Sequence, residues 1–405
     1  MLPDTSRSVN SSAATATAAR GANPSRPNAP IRANSRMPMP ATDMGSSTTR
    51  YTAADTQATD GMPLSDSETF AARSLDALPS RDRLLASLGA LQKRLVALRT
   101  AQPLDKRYTG PVLFEGQAAA ELIGQTLAPA FIGIPRMVTD NQMLVRAFGS
   151  DEGGMRDKLG SRILPAWINI TDDATAGPPF LGGYPVDDDG VPARANKVVE
   201  RGVFKMLLNS RALVGGAERS TGNRRAVGAM PTNVIVSATQ SVPAAGLKAK
   251  LIAAAKERGL DYGILIRRLN NATAPKPTGN ARAMVITIGH SGAAAGAGGY
   301  QLEPVIEAVK VFADGREELI QGATINGLGL ASFRDILAVS DQPYVYTNAY
   351  RNNRQSPLMG GPLVAGTPLV SFSVPSLLFD EVSLQRPIGE APKLPYASHP
   401  SFTRN

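Results

Sequence analysis

The sequence predicts an α+β fold resting largely on antiparallel sheet, and three observations predict it. From Tyr108 onward the chain is a series of short apolar runs broken by Gly, Pro, Asn and Asp. These strand-like runs outnumber the helical patterns. Several are joined by tight turn signals, such as Arg201-Gly202 and Asp314-Gly315, that suit hairpins between antiparallel neighbours. A length of 405 residues allows one large domain or two, and no internal repeat is visible.

In chain order, residues 1–62 read as a disordered basic tail. Residues 1–50 hold six Arg and two Asp among Ala, Ser, Thr, Pro and Asn, with one Leu and no Phe or Trp, too little apolar surface to offset ordering entropy. A functional reading is a nucleic-acid or membrane-surface arm; the plainer one is a solvated extension or targeting leader, Arg- and Ser-rich without a secretory apolar region. Residues 63–160 read as a helical N-terminal part. Ser65 or Asp66 caps a short helix to Ala77, with Glu68 placed for a capping box, and Pro79 ends it. Ser80 caps a second helix with Leu84, Leu88, Leu91, Leu95 and Leu98 at 4-3-4-3 spacing. About two heptads is short for a coiled coil, so the helix is expected to lie on its own domain or at a subunit contact.

Strand Pro111–Phe114 and helix Gln117–Ala128 follow. The part from 161 to 386 then carries strands Arg162–Ile170, Lys197–Glu200 and Val203–Leu208 flanking Arg201-Gly202, and Asn233–Ala238. Helix Ala244–Arg258 is closed by Gly259. Strands at Tyr262–Arg268, Met284–Ile288, Val305–Phe312, Glu317–Thr324, around Pro368–Phe372 and at Leu377–Leu384 complete it. Residues 387–405 read as a Pro-rich tail.

Composition removes whole classes of chemistry. With no Cys there is no disulfide, thiolate zinc site or cysteine nucleophile. The two histidines, His290 and His399, lie far apart, which excludes most His-based constellations. No run of 18 apolar residues spans a membrane. With neither signal peptide nor span, a cytoplasmic location is favoured while export stays open. Nearly half of the +9 net charge sits on residues 1–50, so the charge is weak support for a nucleic-acid partner.

Among candidate sites, Gly182–Pro192 holds Asp187, Asp188, Asp189 and Gly190 on a turn. It could take a hard cation but lacks the alternating ligands of a calcium loop, and Asp and Gly satisfy turn geometry unaided. Gly292–Gly299 has the wrong spacing for a phosphate loop. His290 reads as a loop residue, Ser210, Ser220 and Ser291 belong to no nucleophile elbow, and Arg224-Arg225 and Arg267-Arg268 read as phosphate holders or, more plainly, a solvated face.

Four ordered motifs then carry a resemblance: Asp172-Asp173; Asp188-Asp189-Gly190-Val191-Pro192; the hairpin Val199-Glu200-Arg201-Gly202-Val203-Phe204-Lys205; and Ser220-Thr221-Gly222-Asn223, with Asn233 beyond. Together with Gly110–Phe114 before Ala118–Leu122, and with Val374–Phe379, they resemble the TldD/PmbA family, metallopeptidases also called modulators of DNA gyrase, over about residues 82–386. The resemblance implies a β-rich C-terminal domain, a peptide or protein substrate, and H-E-x-x-x-H on the helix after the first strand. Two His of that motif and a later Cys ligate zinc, and the Glu is the general base. Here the helix reads Ala120-Glu121-Leu122-Ile123-Gly124-Gln125. Only Glu121 remains, as a catalytic remnant, with no zinc or other cofactor of its own.

The resemblance therefore implies the PmbA/TldE-like side of the family: a non-catalytic subunit or scaffold enclosing a peptide-handling cavity, as a homodimer or a heterodimer with a zinc-bearing TldD-like subunit. Two alternatives stand beside it. One is an active metallopeptidase with a site rearranged around Glu121, His290 and Asp187–Asp189; the other is a gyrase-modulator-like nucleic-acid binder using the tail. Family members usually begin with a longer α+β domain, so the N-terminal part reads as truncated, whether native or from a mis-assigned start.

Overall fold

A computed structural model describes residues 48–58, 60–135, 140, 155–225, 228–270, 302–350 and 368–387. The chain opens with strands β1 (Thr48–Gln57) and β2 (Pro63–Ala72), an antiparallel hairpin that forms a two-stranded sheet of its own. This corrects two expectations. Residues 48–57 are not part of an unstructured tail, and the helix expected from Ser65 or Asp66 is a strand. The capping-box residues are real, but no apolar face of period 3.6 follows them. The alternation instead places Leu64, Asp66 and Glu68 on one side, where Leu64 is buried and both acids find arginines. Residues 1–47 and 388–405 lie outside the described residues.

Helix α1 (Arg81–Thr100) starts where expected, with the Ser80 hydroxyl accepting from the Arg83 N–H. Its leucine stripe faces inward: Leu91, Leu95 and Leu98 are buried against Ala58 and Leu64 of the hairpin region and against Ile306. The stripe is thus used within the chain.

The main sheet has ten strands. They are β3 (Tyr108–Phe114), β4 (Ile168–Asp173), β5 (Ala195–Glu200), β6 (Val203–Phe204), β9 (Asn233–Ala238), β10 (Tyr262–Leu269), β11 (Val305–Phe312), β12 (Glu317–Asn326), β13 (Ile336–Ala349) and β14 (Leu369–Gln385). β7 (Arg224–Arg225) and β8 (Gly228–Ala229) form a separate small ladder. The order runs β12-β11-β10-β3-β14-β9-β4-β5-β6, with β13 also on β14, and β12 returns to pair with β14. Most pairs are antiparallel; β3–β10 and β9–β14 are parallel. Because β3 pairs with both β10 and β14, the expected division near residue 160 cuts through one sheet rather than between two. Beside the expected entry strand at Pro111–Phe114, which is β3, the part from 63 to 160 also contributes β2.

Helices α2 (Gln117–Gln125) and α3 (Leu127–Ala130) follow β3, α4 (Ala244–Glu257) precedes β10, and α5 (Leu330–Arg334) precedes β13. α2 is apolar almost all round, and Ala118 to Ile123 are buried in the main core with Phe114, Phe131 and Phe372. The Arg201-Gly202 turn joins β5 and β6 with φ of 48° and 73°, the double positive φ such a hairpin requires. A Cβ on Gly202 would run into the Leu164 carbonyl.

Two strand assignments differ from the expectation because of proline. β13 has no counterpart in the sequence reading, since Pro343 breaks its pattern and Asp341 to Val345 are exposed. β14, expected as two strands, runs unbroken for 17 residues through Pro375. Pro343 and Pro375 sit opposite each other, beside a register shift between Val339 and Pro343, so the ladder absorbs both. The expected strand Met284–Ile288, the loop Gly292–Gly299, and both His290 and His399 lie outside the described residues.

Candidate functional site

Most of the motif residues converge on one buried acid, Asp172, at the end of β4. Asp172 is 1% exposed. Its Oδ1 accepts from the Thr232 N–H at 2.7 Å, and its Oδ2 from the Thr232 hydroxyl at 2.9 Å and from Asn223 Nδ2 at 2.7 Å. Burial outweighs these three donors and pushes the carboxyl up to about 6. Asn223, fully buried, also donates to the Met230 carbonyl and accepts from Asn196 Nδ2, which in turn donates to the Thr221 carbonyl. The Ser220 and Thr221 hydroxyls both reach the Asn209 carbonyl, and Gly222 donates to Ser220 Oγ. Gly222 has φ of 78°, and a Cβ there would meet the Pro192 carbonyl at 2.7 Å. Asn233 accepts from Gly182 N–H and donates to the Asp173 carbonyl.

The three-Asp turn closes on itself. Asp187 Oδ1 accepts from the backbone of Asp189 and Val191, and its Oδ2 from Arg224 N–H. Asp188 N–H donates to the Arg224 carbonyl, Asp189 Oδ2 accepts from Arg211 N–H, and Gly190 takes φ of 78°. Both Asp187 oxygens and one Asp189 oxygen are thus engaged by the loops around them. Ser220, Thr221, Gly222 and Asn223 are thus brought together beside Asp172, Asn233 binds the adjoining Asp173 carbonyl, and Asp188, Asp189 and Gly190 form the turn that meets Arg224 and Arg211. Sequence reasoning missed Asn196, Asn209 and Thr232, single polar residues whose roles depend on burial that no local pattern announces. It also read Arg224-Arg225 as a phosphate holder or, more plainly, a solvated face, whereas the Arg225 guanidinium lies 5.0 Å from the Tyr184 ring centroid and donates to the Gly182 and Leu369 carbonyls.

Glu121 belongs to a second network on α2, 4% exposed. One carboxylate oxygen accepts from Gln117 Nε2 at 2.8 Å, the other from Leu269 N–H at 2.8 Å, and Tyr346 bonds to the same carboxyl. Desolvation raises the acid to about 7, against the pull of Gln117 and of the nearby Arg268. Gln117 Oε1 accepts from Arg268 at 3.2 Å. Arg268 also donates to the Ser67 carbonyl at 2.8 Å and stands 3.4 Å from Asp66 and 3.2 Å from Glu68. Arg94 of α1 holds the same two acids, each at 2.7 Å.

The two positions where the resemblance implies histidine do different work here. Ala120 is fully buried and has no donor. Gln125 donates to the Asn270 carbonyl at 3.0 Å and accepts from Glu303 N–H at 2.9 Å, tying together the two sides of segment 271–301. These residues do not fit a zinc ion: one cannot ligate, one is committed at both ends, and the chain has no Cys for the third place. Among the described residues no group of three or more His, Cys, Asp or Glu could hold a metal.

The PmbA/TldA metallopeptidase C-terminal domain matches residues 105–386, more than two-thirds of the chain. This chain belongs to the PmbA/TldD family. A metalloprotease of Methanocaldococcus jannaschii is 39% identical over 74 residues, 18% of this chain and 16% of that protein. One from Methanothermobacter thermautotrophicus is 39% identical over 79 residues, 19% of this chain and 17% of its own length. The matched stretch thus spans less than a fifth of these curated relatives. In fold, the chain is similar to TldE from Thermococcus kodakarensis, at 19% identity and a TM-score of 0.50, over 84% of this chain and 63% of that one. It is likewise similar to a structure described as a modulator of DNA gyrase from Bacteroides thetaiotaomicron, at 12% identity and a TM-score of 0.52, over 84% and 60%. The sheet-rich α+β architecture is that of this family, and no helix among the described residues is long and apolar enough to cross a membrane.

Proposed function

We propose that this chain is a non-catalytic PmbA/TldE-type member of the family, a subunit or scaffold that helps enclose a peptide-handling cavity, as a homodimer or beside a zinc-bearing TldD-like subunit. The observation that carries this reading is the state of helix α2. The remaining acid, Glu121, has both oxygens occupied by protein donors, and the flanking positions hold an apolar residue and a committed amide. A general base must reach a proton on its substrate or on a bound water; here the carboxylate reaches a backbone amide, a glutamine and a tyrosine.

The metalloprotease names of the two curated relatives favour one second reading, an active peptidase with a rearranged metal site. Metal content decides between the two. The purified full chain is analysed for zinc by plasma mass spectrometry and assayed on a mixed peptide library with and without chelator. Substoichiometric zinc and no chelator-sensitive hydrolysis are expected. One zinc per chain, removed by chelator together with hydrolysis, would overturn the proposal. Co-expression with a family member that carries H-E-x-x-x-H should yield a co-purifying complex whose hydrolysis depends on that member's motif.

A further inference from the structure

The β1–β2 hairpin is joined to the body by side chains rather than by sheet. Its ladder is separate from the ten-stranded sheet, and a two-stranded hairpin is marginal alone. What holds it is one small apolar cluster, Ala58 and Leu64 with Leu91, Leu95, Leu98 and Ile306, and polar fastenings at four places. At the end of β1 the Gln57 carbonyl accepts from Arg99 Nε at 3.2 Å. Asp60 in the turn pairs with Arg386 at 2.6 Å. Asp66, Ser67 and Glu68 engage Arg268 and Arg94. Just beyond β2, Arg73 donates to the Gly183 carbonyl at 3.1 Å. Six residues of extended chain reach about 20 Å, so β2 runs from the edge of the Glu121 network to the loop that packs on Asn233.

Arg268 shows what this strand covers. Three of its contacts come from β2, namely the Ser67 carbonyl, Asp66 and Glu68, against one from α2, Gln117. Its Nε has no hydrogen-bond partner although buried. With β2 lifted away, the guanidinium would face Gln117 and the neighbouring Glu121 and Tyr346 with most of its counter-charge gone. Leu64, Asp66 and Glu68 share one side of the strand, so the cradle of Leu91, Leu95, Arg94 and Arg268 reads an extended segment of the pattern apolar-x-acid-x-acid. Taking the buried Asp66 and its two arginines out of water offsets much of what their ion pairs return, which keeps the net hold of this fastening modest.

We propose that β2 is a detachable strap that seals the polar side of α2 in cis, and that an extended peptide with an apolar residue followed by two acids at alternate positions takes its place when it opens. This deepens the peptide-handling reading, and rests on it for the peptide's later fate. Elements held by few buried contacts open locally at lower free energy than the global fold. The strap is such an element.

The absence of Cys makes a direct test possible. Ser67→Cys, in the strap, and Ala119→Cys, in the core of α2, are made separately in the full chain and labelled with a maleimide across a low urea series. The Ser67→Cys variant should label at least about tenfold faster than the other and with a shallower urea dependence, as local opening does. A synthetic peptide of residues 62–71 should accelerate its labelling, whereas the same peptide with Asp66→Asn and Glu68→Gln should not. Equal rates and equal urea slopes at the two sites would overturn the strap. Indifference to the peptide, or an equal response to both peptides, would overturn the exchange. Zinc-dependent hydrolysis together with the expected labelling would sink the non-catalytic reading and leave the strap standing.

Discussion

Asp172→Asn separates a buried charge from the hydrogen bonds that surround it. In the wild type the folded state holds the Asp172 proton up to about pH 6, against an ordinary value of 3.8. The gap corresponds to about 3 kcal/mol. Because the folded value is raised, the associated stability is fully present below about pH 4 and is lost as the pH rises through 6. An amide imitates the neutral acid and does not titrate. Its oxygen can accept from Thr232 N–H, but its NH2 meets Asn223 Nδ2, which is fixed as a donor because Asn223 Oδ1 accepts from Asn196. Only the Thr232 hydroxyl can turn to receive it. One lost buried bond costs about 1–3 kcal/mol, so near pH 4 the variant should be less stable by that amount, and by pH 5 the wild type has already given up about half of its margin. By pH 8 the wild type has given up its 3 kcal/mol or so and the two should meet or cross. Urea unfolding is followed through Trp167, the single tryptophan, which packs against the core immediately before β4. A stability difference that is the same at pH 4 and pH 8, or that widens toward pH 8 with the wild type ahead, would refute the reasoning.

Gly202→Ala places a side chain at φ of 73° against the Leu164 carbonyl; a loss of about 2–4 kcal/mol in urea unfolding is expected, and a neutral result would mean the β5–β6 turn is not held as described. Leu91→Asp with Leu95→Asp buries two unpaired carboxylates at positions 3% and 6% exposed; circular dichroism should show α1 lost or the whole chain unfolded, and full helicity with unchanged stability would show the stripe to be solvent-facing. For Glu121→Gln, the folded-state value near 7 against 4.5 makes the wild-type acid cost stability as pH rises through 7. The variant, which must set its NH2 against Gln117 Nε2 or Leu269 N–H, should therefore be weaker than wild type at pH 5.5 and equal or stronger at pH 8.5 in thermal melts, with zinc content unchanged.

Where the sequence was legible, a local rule and the tertiary structure demanded the same thing. Asn233–Ala238 and Val305–Phe312 were read to the residue, and α4 and the Arg201-Gly202 hairpin nearly so, since alternation, Gly259 and the turn pair all agree with burial. Illegibility came from two causes. Pro343 and Pro375 are forbidden in an ordinary central ladder and hid β13 and the continuity of β14 until the opposing strand was known. The β1–β2 hairpin is specified by partners at great sequence distance, Arg268 lying 201 residues from Ser67, so a local capping pattern at Ser65 to Glu68 pointed the wrong way. At the site, the motif residues were found as text, but the hub they serve, and Asn209 and Thr232 with it, became visible only through shared hydrogen bonds.

The fate of α2 follows from the cost of buried polar groups. A buried acid on a helix and the backbone donors near it need partners whether or not a metal is held, and each unmet group costs about 1–3 kcal/mol. Replacing Glu121 with an apolar residue would not meet that demand, because it would leave the Leu269 N–H without its acceptor. Glu121 accepts Leu269 N–H, and Gln125 takes the Asn270 carbonyl and the Glu303 N–H. Both residues thereby close the strand ends on either side of segment 271–301. A carboxylate whose loss would strand a β10 amide is constrained without any reaction to perform, which is why its presence beside Ala120 is weak evidence for catalysis. The same logic extends outward, because Gln117 donates to Glu121 through Nε2 and accepts from Arg268 through Oε1. The orientation of one amide therefore links helix α2 to the acids of β2.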